Sequence, residues 1–232
     1  MIIPDAVHVL ERDLRDIFGS RLQSLVAYRA ASGSDKAPTL AVVDGLTADD
    51  LRACAGRVAA WHDAGLATPL LLGAQEFGRS LDAFPLEFGA ILADHMVTFG
   101  SNPFEGLGVD PAQVRQACEI QARSHLLHLR EGYVETRGRS DALADLIVRS
   151  AAPFVALMTS VARLQGAADL PDASAAAVAM ERALGLPGVS LTEIMKLSAG
   201  RPLSADTARR IFPAYLDAVE RLTSYIDQWS AT

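Results

Sequence analysis

The residues most able to do chemistry together lie in one short turn and just beyond it. Ser32, Gly33 and Ser34 are preceded by Arg29 and followed by Lys36. A turn of this kind offers backbone N–H groups, two hydroxyls, a permissive glycine and two cations, which is the chemistry that cradles a phosphate or another small anion. Its spacing matches neither the P-loop nor the dinucleotide-binding glycine pattern, so an ordinary solvated turn competes with the anion site. Asp35 sits in the same turn and Asp44 follows the next apolar run. Carboxylate oxygens suit a hard cation such as magnesium, and both aspartates are equally read as turn-forming or strand-ending residues.

Other reactive side chains are dispersed. Arg123 and His128 are five positions apart, which turns a helix by about 500° and leaves the two side chains some 140° apart. His125 falls on an apolar stripe and reads as a core histidine, while His8, His62 and His95 lack sequence partners for nucleophilic catalysis. Cys54 and Cys118 are too few for a disulfide framework or a zinc site, and their apolar-periodic positions suit small core residues. Arg123, Arg130, Arg137 and Arg139 form a basic run, but Glu131 and Glu135 interrupt it, as on a solvated helix face.

Composition narrows the function classes. The 232 residues carry a net charge of -7, which removes the electrostatic basis of non-specific nucleic-acid binding. The first 18 residues hold charges where a secretory leader needs an apolar core. The apolar run at Ala151–Ala162 is shorter than the roughly 20 residues of a membrane span and contains Pro153. The expectation is a cytoplasmic protein with no membrane or nucleic-acid partner. Alanine is concentrated in the second half, whose close-packed helices are open to self-association as a homodimer.

These residues need elements to position them. Val7, Leu10, Leu14, Ile17 and Phe18 recur at helical spacing before Gly19, and Leu22–Tyr28 and Leu40–Val43 read as strands flanking the turn. Thr47 and Asp50 resemble a capping box that opens one helix running to Gly65. Leu70–Leu72 reads as a strand, Gln75–Leu81 as a short helix, and Leu86–Leu92 with Met96–Phe99 as one or two further strands. The turn-rich stretch 101–108 marks a boundary, and everything after it has helical periodicity. Asp110-Pro111 starts the first helix, Ser140-Asp141 the second with a kink at Pro153, Ala173–Leu184 and Leu191–Leu197 follow, and Ser204 caps Ala205–Trp229. The predicted fold is α+β: a small α/β domain with a mixed sheet over residues 1–108, then an all-α helical bundle over 109–232.

The order of elements, with Leu25-Val26-Ala27-Tyr28, Leu40-Ala41-Val42-Val43, Phe84-Pro85-Leu86-Glu87-Phe88 and Phe99-Gly100-Ser101-Asn102-Pro103-Phe104-Glu105-Gly106-Leu107 leading into helices, resembles bacterial nucleotidyltransferase-like proteins of the DNA polymerase β superfamily that carry a C-terminal helical domain. The resemblance implies a Gly-Ser pair after the first strand that holds a triphosphate, an Asp-x-Asp pair that binds magnesium, and a third acid on a following strand. Here Arg29 and Ala30 stand at the first pair, Ala37 and Thr39 at the second, and the third falls near Ala90, with Glu87 close by. Phosphoryl transfer depends on metal and electrostatic stabilisation, which alanine and threonine do not supply. The sequence therefore implies a degenerate, non-catalytic nucleotidyltransferase-like protein without a cofactor, binding a partner protein or small-molecule ligand between its domains. The alternative is an active magnesium- and ATP-dependent (or other nucleotide-dependent) transferase that moves a nucleoside monophosphate to a small molecule or protein, with displaced acids drawn from Asp35, Asp44 and Glu87.

Overall fold

The computed structural model describes residues 5–29, 36–164, 173–186, 191–198 and 202–228. The calls on Ser32, Gly33, Ser34 and Asp35 lie outside these residues, as does the end of the last helix at Trp229.

The chain opens with α1, Ala6–Phe18, whose Val7, Leu10, Leu14 and Phe18 are buried at the anticipated helical spacing. Gly19 ends it at φ 58°, a left-handed value that glycine takes without steric cost. Strand β1 (Leu22–Tyr28) and strand β2 (Thr39–Val43) are antiparallel, with Ala27 opposite Thr39 and Leu22 opposite Val43. The capping box forms: Thr47 accepts from the Asp50 amide and Asp50 from the Thr47 amide. The single helix expected after it is two, α2 (Ala48–Ala55) and α3 (Val58–Asp63), because Gly56 and Arg57 interrupt the ladder. This crossover returns to β3 (Leu70–Gly73), which pairs parallel with β2.

Then come α4 (Ala74–Ala83) and α5 (Pro85–Ala93). The latter corrects the strand expected at 86–92: Pro85 occupies the first helical turn, where its missing N–H costs nothing and its fixed φ favours the helix. An apolar run of that length does not distinguish strand from buried helix by itself. Strand β4 (His95–Gly100) pairs antiparallel with β1. The sheet is mixed, in the order β3-β2-β1-β4.

Two apolar layers cover it. Leu25, Ala41 and Val43 pack with α1 and with Cys54, Trp61 and Leu66, whereas Val26, Leu40 and Val42 pack with Phe77, Leu81, Phe88, Ile91 and Phe104. Side chains alternate across a strand, so Thr39 shares the α1 side with Ala41 and Val43.

The remaining described elements are helical: α6 (Pro111–Glu135), α7 (Ser140–Leu164), α8 (Ala173–Ala183), α9 (Leu191–Ser198) and α10 (Ala205–Gln228). The chain divides into two compact units, with the change at Asp110–Pro111. In the second unit α7 is the packing centre, contacting α6, α8, α9 and α10. Its 25 residues run through Pro153 without a break. Among the described residues it is the one helix with the length and hydropathy of a membrane span, and half of its most apolar window is buried inside the structure. The Thr207 amide donates to Ser204 as the cap of α10.

Candidate functional site

Antiparallel pairing brings the end of β1, the start of β2 and the start of β4 to one edge of the sheet. Tyr28 lies opposite His95, and the Tyr28 amide donates to the Pro38 carbonyl. The Arg29 amide donates to the Asp94 carbonyl, and the Arg29 guanidinium pairs with the Asp94 carboxylate at 2.8 Å. Arg29, anticipated as an anion ligand, is thus tied to an acid that sequence reasoning missed. Asp94 stands one residue before β4, the strand that pairs with β1, and only that pairing brings it to Arg29. His95 Nδ1 lies 3.2 Å from the Leu92 carbonyl, which fixes that nitrogen as the protonated one, and its ring packs on Phe104. Lys36 is half-buried at the same edge.

Glu87 is exposed in the first turn of α5, on the Val26–Leu40–Val42 side of the sheet. Burial, and then the nearby Glu87 charge, push the Tyr28 phenol up to about 12. Ala90, where a third acid was sought, belongs to the same helix, and β4 itself, His-Met-Val-Thr-Phe-Gly, has no carboxylate.

Of the two positions implied for the metal pair, Thr39 is buried and Ala37 half-buried. Thr39 is fully buried and its hydroxyl has no hydrogen-bond partner. Ala37 forms an isolated parallel bridge with Leu66: its amide donates to the Gly65 carbonyl and its carbonyl accepts from the Ala67 amide, both at 2.9 Å. The connection from α3 to β3 therefore runs alongside Ala37, just before β2.

Asp44 is at the other end of β2, its amide bound to the Arg21 carbonyl. Five strand steps from Thr39 span about 16 Å, several times the separation of two oxygens on one magnesium ion. Glu87 is across the sheet from Thr39. Asp44 and Glu87 therefore do not come together, and among the described residues no group of three His, Cys, Asp or Glu side chains is placed to hold a metal.

The other flagged residues are structural. Arg123 pairs with Asp227, Arg130 with Glu220, Arg137 with Glu135 and His128 with Glu131, so the basic run is largely neutralised. His125 is partly buried, with Nε2 3.1 Å from the Tyr215 hydroxyl, and desolvation, then His128, lowers it from 6.5 to about 4. Cys118 is buried and pushed up to about 12, and burial also raises Cys54, which keeps both thiols protonated and unreactive.

No family model and no curated protein sequence matches the chain. Among solved structures it is similar to spectinomycin adenyltransferase AAD(9) from Enterococcus faecialis, determined with ATP and spectinomycin, at 9% identity over 97% of this chain and 99% of that one, with a TM-score of 0.49. A likeness of that size does not assign the chain to a family.

Proposed function

We propose that this chain is a degenerate, non-catalytic nucleotidyltransferase-like protein that binds a partner protein or a small ligand and uses no metal or nucleotide cofactor. The family part of the reading rests on the order of elements and the segments around Tyr28, Val43, Glu87 and Gly100. The non-catalytic part rests on one observation: Thr39, at the position implied for a magnesium carboxylate, is fully buried with an unpartnered hydroxyl. A carboxylate without a cation at such a site would be strongly unfavourable, and a cation would need an opening to solvent and to the triphosphate. Isothermal titration of ATP and GTP with and without magnesium tests it. No metal-dependent heat is expected; tight binding that requires magnesium would overturn the reading.

The second reading, an active transferase, is favoured by the exposed Glu87 beside Tyr28 at the edge that also carries Arg29 and Asp94. It predicts transfer of label from ATP to an acceptor that Glu87→Ala abolishes. Silence across all four nucleotides would count against it.

A further inference from the structure

We draw no further inference here: the strongest candidate, the exposed apolar line of Ile120, Leu127 and Val134 along α6, carries none, because the arginines beside it already pair with Glu119, Asp227 and Glu220 of the same chain and nothing in the structure shows what covers it.

Discussion

The two units bury their titratable groups in opposite ways. In the sheet unit two of the buried polar groups, Asp13 and Asp50, are carboxylates clamped by cations. Asp13 accepts from Arg57 at 2.6 Å and from the Trp61 indole at 2.9 Å. Asp50 takes both terminal nitrogens of Arg21 as well as the Thr47 hydroxyl and amide, which holds its carboxyl well below the usual range. In the helical unit the corresponding network is neutral. Tyr215, fully buried, donates to the Ser150 carbonyl at 3.1 Å, which leaves His125 to donate through Nε2, while Phe154 packs on both rings. A clamped carboxylate resists acid until it is itself protonated, whereas a neutral buried imidazole is undone once it takes up a proton. The units should therefore fail in different pH windows.

The sharpest separation comes from Gly100, at φ 74° where β4 leaves β1. A Cβ there would lie 1.9 Å from the Gln23 carbonyl oxygen, so backbone must move. Gly100→Ala is expected to cost more than about 3 kcal/mol and to melt the sheet, seen as loss of amide protection in β1 and β4 by hydrogen exchange. Gly132→Ala, which would meet only the movable end of Leu146, should cost far less. Next in size is Thr39→Asp, which buries an unpaired carboxylate and should destabilise by several kcal/mol at neutral pH. A stable Thr39→Asp protein that gains magnesium affinity would break the account of a buried site.

The pH comparison follows. His125 resists protonation in the fold, so its contribution is complete above pH 6.5 and drains as pH falls toward 4, by on the order of 3 kcal/mol. Asp50 has a depressed folded value, so its contribution persists above the ordinary carboxylate range and is lost only below it. Hydrogen exchange between pH 6.5 and 4 should show α6, α7 and α10 loosening before the sheet, and His125→Phe should remove that difference. The smallest effect is a gain: Thr39→Val removes an unpartnered hydroxyl at nearly constant shape and should stabilise by roughly 1 kcal/mol in thermal unfolding.

Much of the scaffold was legible in the residues. Helical stripes, the Thr47–Asp50 box and Pro111 after an acid are local signals, and each corresponds to an element in the structure. Leu86–Leu92 was misread because a nine-residue apolar helix buried against a sheet has no polar face to reveal its period, and Pro85 was the better guide. The site was less legible. Nothing in sequence places Asp94 beside Arg29 or Glu87 on the far side of the sheet from Thr39, since both depend on strand pairing across tens of residues.

Strand β1 lies at the heart of the sheet, yet its two neighbours come from residues 39–43 and 95–100. During synthesis the nascent polypeptide thus carries one raw hydrogen-bonding edge from the moment Tyr28 leaves the ribosome until Gly100 follows. Over that interval any other extended segment can dock there, and a product cut short before His95 should be insoluble even with most of the sheet unit's apolar core present.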